Sequence, residues 1–195
     1  MENTIAYFKR ECFPDDVSNA GVQPIAFGML GAYDVPIPRQ GKDWDLLCCF
    51  GHTETGLRPE LVKECQKLKG KWRNRTIQIR ERLSPREYTQ ALARSKIVVD
   101  AWGHGDPCYR LWEGAGGTAC MIYQKYQVLT GPDWFEEGRE AVSFSTIKEF
   151  TEKVEGLLED REATMAIGRR GYEKARSAHT GKHRIEYVLR TMGLL

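Results

Sequence analysis

The sequence has no long apolar run, no cysteine pair with CxxC spacing and almost no excess charge of either sign. No window approaches the roughly 18 apolar residues of a membrane-spanning helix, and the N-terminus has no apolar leader, so neither a membrane span nor export is expected. The formal net charge of +2 gives no reason to expect a nucleic-acid partner. Scattered cysteines are typical of reduced thiols and predict a cytoplasmic protein; they are Cys12, Cys48, Cys49, Cys65, Cys108 and Cys120.

One local exception to the even charge is the basic stretch 69–75, in which lysines and arginines surround Trp72. Such a patch can bind nucleic acid. Because the stretch falls between a predicted helix and a predicted strand, we interpret it as a solvated loop.

The composition is that of a globular protein. With 195 residues, 41% of them hydrophobic, the chain is large enough for one domain with a buried core. Residues 1–44 contain four of the eight prolines, set around short apolar pieces. This pattern predicts strand ends joined by turns, in a segment too short to be a domain of its own.

From residue 45 to residue 195, predicted strands alternate with predicted helices. The alternation predicts an α/β fold: a Rossmann-like parallel sheet with helices on both faces. Ser84 and Glu87 form a capping-box pattern that marks a helix start, and the neighbours Cys48 and Cys49 should point to opposite faces of the sheet. The predicted strands are 46–50, 76–80, 97–101, 119–123 and 141–144, and the predicted helices are 59–68, 85–94, 109–115, 146–159, 161–178 and 181–192.

The first candidate ligand loop follows the strand 46–50 and runs from Gly51 to Gly56, with Arg58 just beyond it. Glycines let the backbone approach a phosphate closely, and the guanidinium of Arg58 would bind that phosphate. Leu57 stands where a P-loop has lysine, so a P-loop NTPase is not expected. The alternative is a glycine-rich turn with a surface arginine.

The second candidate follows the strand 97–101, where a glycine-bearing loop leads to Arg110 and Glu113 in a helix. In open α/β sheets, ligands bind beyond the carboxyl ends of the strands, where loop amides hold anions and a carboxylate takes sugar hydroxyls. The alternative for these two residues is a local i,i+3 ion pair. His104 in the loop is a candidate donor to a phosphate or sugar hydroxyl, or else an exposed loop histidine.

Four segments, in this order, resemble a known family: SKIVVD, RLWEGAGG, WFEEGREAVSFSTIKEF and IGRRGYEKARSAHTGKHR. They are similar to the C-terminal, donor-binding half of GT-B-fold glycosyltransferases. The similarity is greatest to glycosyltransferase-like proteins of the spore-maturation type, whose pattern ends in His-Thr followed by Arg. Together with residues 45–58, the resemblance covers most of the chain.

The resemblance implies a role for each candidate residue. Glu113 would hold the ribose hydroxyls of a nucleotide-diphospho-sugar donor, Arg110 and Arg58 would lie near its diphosphate, and Gly51 would open the loop that faces the other domain. The cationic side chains would take the place of a metal ion, so neither a metal nor another cofactor is expected. Residues 1–44 would be the end of the acceptor domain.

A GT-B enzyme has two Rossmann-like domains, whereas this sequence matches one. The acceptor half is therefore expected from a partner chain or from a homo-oligomer. His179 and His183 could ligate a metal, but no further ligands lie near them in the sequence. Two other functions stay open: a non-catalytic nucleotide-sugar-binding module, and a spore- or particle-surface assembly protein that retains the fold.

Overall fold

The computed structural model describes residues 6–20, 22–29, 41–103, 105, 108–128 and 133–195. Within these ranges no helix has both the length and the apolar character needed to cross a membrane. The strands are β1 (Phe8–Lys9), β2 (Gln23–Pro24), β3 (Trp44–Cys49), β4 (Ile77–Arg80), β5 (Ser95–Asp100), β6 (Cys120–Gln124) and β7 (Val142–Phe144). The helices are α1 (Pro14–Ala20), α2 (Arg58–Lys71), α3 (Pro85–Arg94), α4 (Arg110–Gly116), α5 (Ile147–Glu159), α6 (Arg161–Ala178) and α7 (Gly181–Thr191).

The main sheet has five parallel strands in the order β4-β3-β5-β6-β7. Because all of them run in one direction, their carboxyl ends meet at a single edge. The chain passes from β3 to β4 on one side and returns to β5 on the other, so a switch point lies between β3 and β5. Ligands of open α/β sheets bind at such a point. The predicted fold class is confirmed.

Both faces of the sheet are covered, as predicted for a parallel sheet. Leu46 and Cys48 point to the face covered by α2 and α5, whereas Leu47 and Cys49 point to the face covered by α3 and α4. The prediction that Cys48 and Cys49 face opposite ways is therefore confirmed. All six cysteines carry free thiols, and five of them are buried.

Local sequence signals account for most helix boundaries. The capping box of α3 is present, since the amide of Glu87 donates to Ser84 Oγ (3.4 Å) and the amide of Ser84 donates to Glu87 Oε2 (2.9 Å). The interpretation of residues 69–75 as a loop is wrong in part, because α2 continues to Lys71. Lys71, in the last turn of α2, forms an ion pair with Glu155 of α5.

The N-terminal segment contains more than the predicted strand ends and turns. α1 has proline in its first position and two aspartates in its first turn, both of which favour a helix start. The segment packs on the end of the chain: the amide of Met29 donates to the His179 carbonyl (2.7 Å), and Arg184 Nε donates to the Ala26 carbonyl (3.1 Å). The division at residue 44 stays a prediction.

Candidate functional site

A cavity of about 180 Å³ opens at the carboxyl edge of the sheet, beside the switch point between β3 and β5. It brings together three predicted site residues: Gly51 after β3, and Arg110 and Glu113 of α4. The loop after β4 and the helix α3 complete it. Its lining residues are Cys49, Gly51, Glu81, Arg82, Leu83, Tyr88, Arg110 and Glu113.

Glu113 is half-buried in the first turn of α4. The hydroxyl of Tyr88, from α3, donates a hydrogen bond to Glu113 Oε2 (2.9 Å). Burial raises the pKa of Tyr88 well above its usual value, so this hydroxyl keeps its proton. The hydrogen bond from Tyr88 therefore orients the Glu113 carboxylate, which lines the cavity.

Arg110 is held by a buried carboxylate that the sequence analysis did not identify. Its Nη1 donates to Asp100 Oδ1 (3.1 Å), and the Tyr126 hydroxyl donates to Asp100 Oδ2 (3.2 Å). Asp100 is the last residue of β5 and is fully buried. Burial raises its pKa, and the nearby Arg110 opposes that rise. An acidic residue that ends an apolar strand was the signal that could have revealed this partner.

Arg58 lies behind the cavity, and among the described residues it is not part of the lining. The side chain is only 6% exposed. Its Nη1 donates to the His52 carbonyl (2.9 Å) and its Nη2 to the Ala101 carbonyl (3.0 Å), so it ties the loop after β3 to the loop after β5. A Cβ added to Gly103 would lie 2.6 Å from Arg58 Nη2, so a larger residue there would force this guanidinium to move. Contact of Arg58 with a diphosphate stays a prediction.

The two arginines share one aromatic ring. The guanidinium carbons of Arg58 and Arg110 lie 5.1 Å and 5.0 Å from the centre of the Phe50 ring. Burial, followed by the charge of Arg110, lowers the pKa of Arg58. Among the described residues neither buried Nε atom has a hydrogen-bond partner. Buried donors without partners cost free energy, and a bound anion would supply acceptors.

The structure gives less detail on two other predicted residues, Gly51 and His104. Gly51 is exposed at the start of the loop after β3, and His104 lies outside the described residues.

A larger cavity of about 690 Å³ lies between α2 and the edge strand β4, and it shares Glu81 with the first cavity. Neither Arg110 nor Glu113 is among the described residues that line it.

The end of α6 forms a buried contact with α7 and with the backbone at Asp133. Arg184 Nη2 donates to His179 Nδ1 (2.7 Å), so the proton of that ring is on Nε2, which donates to the Asp133 carbonyl (2.7 Å). Burial, and then the charge of Arg184, lower the pKa of His179 to about 4. His179 is the C-cap of α6, whereas the His183 side chain accepts from the Thr180 amide (3.2 Å) at the start of α7.

The sequence of the chain matches a known family. A family model described as glycosyl transferase-like matches residues 47–190, well over half of the chain. No curated protein matches the sequence.

Solved structures share the fold at low sequence identity. TarM superposes with a TM-score of 0.68 at 10% identity over 98% of this chain and 44% of its own. The C-terminal domain of the group 1 glycosyl transferase LpcC from Francisella tularensis gives 0.52 at 13% identity over 80% of this chain and 96% of its own. Anabaena Alr3699/HepE, crystallised with UDP, gives 0.57 at 13% identity over 89% and 58%.

These likenesses establish a GT-B glycosyltransferase domain fold. The chain spans less than half of TarM, whereas it covers nearly the whole of the LpcC C-terminal domain. With the family match over residues 47–190, this chain belongs to the glycosyl transferase-like family.

Proposed function

We propose that this chain binds a nucleotide-diphospho-sugar and serves as the donor half of a glycosyl transfer reaction. The observation that carries the proposal is the convergence of Arg110 and Glu113 in one cavity at the switch point of the sheet. A cation and an oriented carboxylate, side by side, suit a ligand that joins a diphosphate to a ribose. The UDP bound in the HepE structure supports uridine nucleotides as first probes.

In this proposal each residue has a distinct task. Glu113 accepts hydrogen bonds from the ribose hydroxyls, and Tyr88 fixes the direction of its carboxylate. Arg110 contacts the diphosphate, where its charge stabilises the negative charge that develops on the leaving group as the glycosidic bond breaks. Arg58 supports that charge from behind and holds the two loops in place. Gly51 allows the backbone to approach the ligand.

The acceptor and its binding surface are assigned to another domain or another copy of the chain. The chain spans 44% of TarM, and we infer that residues 1–44 correspond to the end of an acceptor domain. The resemblance in the terminal His179, Thr180 and Arg184 also favours the spore-maturation-type branch. If no acceptor half is supplied, a nucleotide-sugar-binding module without turnover is the second candidate.

Calorimetric titration of the 195-residue chain with UDP, GDP and ADP, and then with UDP-glucose, tests the proposal. Glu113→Gln should weaken binding of the preferred nucleotide about tenfold, because a charged acceptor for the ribose is replaced by a neutral amide. Glu152→Gln on the exposed face of α5 is the matched control and should bind as the wild type does.

Three outcomes separate the candidate functions. Binding together with release of free sugar, assayed beside the titration, supports an enzyme that acts on its own. Binding without sugar release supports a donor half that needs its acceptor half or a binding module, and adding an acceptor half distinguishes the two. If no nucleotide binds, the donor-site assignment fails and an assembly protein that retains the fold takes its place.

A further inference from the structure

β4 is the outermost strand on one side of the main sheet, and no described residue forms a strand beyond it. Many doubly wound sheets have the strand order 3-2-1-4-5-6. In this chain β3 and β4 occupy positions 1 and 2, and β5, β6 and β7 occupy positions 4, 5 and 6. The position next to β4, which strand 3 takes in such sheets, is therefore open within the described part of the chain.

Alternate residues of β4 present their backbone groups to this open position. The Thr76 carbonyl accepts from the Leu46 amide of β3 (3.3 Å), so Thr76 faces β3. Because the facing alternates along a strand, Gln78 also faces β3, whereas Ile77 and Ile79 face outwards. Among the described residues, none bonds the outward amides and carbonyls of Ile77 and Ile79. These groups are available to a further strand.

The cavity of about 690 Å³ between α2 and β4 lies beside these backbone groups; it is named the edge groove and is lined in part by Val62, Lys63 and Lys69 of α2 and by Ile79 of β4. Val62 and Ile79 are half-buried and form its apolar floor. Ile79 points towards α2, because it pairs with Cys48 on the face that α2 covers. A strand added beside β4 would place every second side chain over this floor.

The edge groove lies in the basic part of the chain. Residues 63–82 contain eight lysines and arginines and only two glutamates, although the net charge of the whole chain is +2. Lys67 and Lys71 of α2 are paired with glutamates. Lys63 and Lys69 are exposed at the groove, and no described residue forms an ion pair with either of them. Their charges are therefore available to a partner.

Cationic side chains flank both faces of the open position. The two lysines lie on the α2 face, whereas Arg80 pairs with Cys49 and so points to the opposite face. Glu54 and Glu81 also line the groove, but they follow the carboxyl ends of β3 and β4. Lys69 is in the last turn of α2, which runs antiparallel to the strands, so the basic end of the groove is its amino end.

These features select one kind of occupant. Alternating amides and carbonyls are what a polypeptide strand supplies, and neither a lipid surface nor a nucleic acid has them. Lysines beside an open strand discourage pairing with another basic strand, which includes the same edge of a second copy of this chain. Trp72, the aromatic residue of the basic stretch, packs on the core and not in the open, as stacking on a nucleic-acid base would require.

We propose that the edge groove binds an extended, acidic peptide segment of a partner protein, which adds to the main sheet as a strand beside β4. The backbone of the segment pairs with Ile77 and Ile79, as in other cases of strand addition. Its alternate apolar side chains pack on Val62, and its carboxylates lie along Lys63 and Lys69. β4 has four residues, so a segment of about six residues spans it with its flanks.

This interaction surface is separate from the candidate donor site. Among the described residues, neither Arg110 nor Glu113 lines the edge groove. The inference therefore stands or fails independently of the proposed function, and variants of the groove should bind UDP as the wild type does.

Fluorescence anisotropy of the full chain with labelled, blocked hexapeptides tests the proposal. The probes are EEVEVE, the same peptide with every amide N-methylated, and KKVKVK. EEVEVE should bind at least about tenfold more tightly than either of the others, because one lacks the backbone donors and the other has the wrong charge. Raising the salt concentration should weaken its binding.

Charge reversal locates the binding surface. Lys63→Glu combined with Lys69→Glu should weaken EEVEVE binding about tenfold, and because both lysines are exposed the fold should be retained. Lys148→Glu combined with Lys182→Glu makes the same change in net charge at exposed positions of α5 and α7 and is the matched control. The control should bind EEVEVE within about twofold of the wild type.

Hydrogen exchange of individual amides tests the strand pairing directly. With EEVEVE bound, exchange of the Ile77 and Ile79 amides should slow, because these outward donors gain acceptors. The Gln78 amide, which faces β3, should not change and serves as the internal control.

Several results would overturn the proposal. If EEVEVE does not bind at about 1 mM, or binds no better than KKVKVK, the lysines only protect the open strand. If the N-methylated peptide binds as well as EEVEVE, or the Ile77 and Ile79 amides do not respond, charge attraction alone is at work. If sedimentation shows a dimer that Lys63→Glu with Lys69→Glu disrupts, the occupant is a second copy. If phosphatidylserine vesicles bind and EEVEVE does not, the surface contacts a membrane.

Discussion

The two edges of the main sheet bury the same kinds of charged residue in different ways. At the amino edge Lys42 is only 4% exposed, and four backbone carbonyls at 2.5–3.5 Å from Nζ share its three N–H donors. Nearby, Lys96 is paired with Asp45, which also accepts from the Thr76 amide (2.7 Å). The carbonyls that hold Lys42 belong to Leu92, Ala93, Ser95 and Gly117.

At the carboxyl edge, two arginines and an aspartate are buried together. Arg58 and Arg110 lie against one phenylalanine ring, Asp100 pairs with Arg110, and neither Nε atom has a partner among the described residues. The comparison suggests how buried charged residues that stabilise the fold differ from those that we propose to contact a ligand. The buried Lys42 amine, with carbonyl acceptors on several sides, stabilises the fold, whereas we propose that Arg110 beside the cavity contacts a ligand.

The largest effect should come from the amino edge. Lys42→Met should lower the free energy of unfolding by about 3 kcal/mol, because it leaves several buried carbonyls without their shared donor. Urea denaturation measures this loss, with the exposed Lys148→Met as the control. Nucleotide affinity of the folded protein should not change. A loss smaller than that of the control would contradict a structural role for Lys42.

His179 provides a second test of a buried polar residue whose hydrogen bonds hold the fold together. Its pKa falls from about 6.5 in the unfolded chain to about 4 in the folded protein. The unfolded state therefore binds more protons between these values, so stability is fully present above pH 6.5 and is lost as the pH falls towards 4. The loss should be about 2 kcal/mol.

Urea denaturation at several pH values measures this dependence. His179→Gln lacks the titrating ring and should lose less stability on acidification than the wild type. A parallel loss in both proteins would show that other groups carry the pH dependence.

The smallest effect should come from the carboxyl edge. It should be a change in the affinity for UDP and not in the free energy of unfolding. Asp100→Asn replaces the charged partner of Arg110 with a neutral amide, which leaves the arginine less firmly placed and should weaken UDP binding about tenfold. Asp43→Asn alters an exposed aspartate–arginine pair at the amino edge and is the control. Equal affinities in the two variants would remove the distinction between the edges.

The fold was largely predictable because its signals are local. Several signals act within a few residues: the spacing of hydrophobic residues in strands and helices, the Ser84 cap and the break after Gly116. The structure places the strands and helices accordingly. α1 was missed because seven residues with two aspartates carry little apolar periodicity. The extension of α2 to Lys71 was missed because its last turn is basic and has no buried apolar residue beyond Leu68.

The candidate site was predictable only in outline. Gly51, Arg110 and Glu113 follow strand ends, and such positions meet at one edge of any parallel sheet. The roles of Tyr88, Asp100 and Tyr126 depend on contacts between residues 10 to 26 positions apart. No periodic pattern connects such positions.

The sequence by itself determined the class of this protein: an α/β domain with candidate ligand residues at its strand ends, because periodicity and turn residues act locally. Only the tertiary structure decided which arginine reaches the cavity. Arg58 and Arg110 are equivalent cations in the sequence, but packing surrounds Arg58 with carbonyls and leaves Arg110 beside open space. That choice depends on how the loops after β3 and β5 meet, which is a property of the assembled sheet.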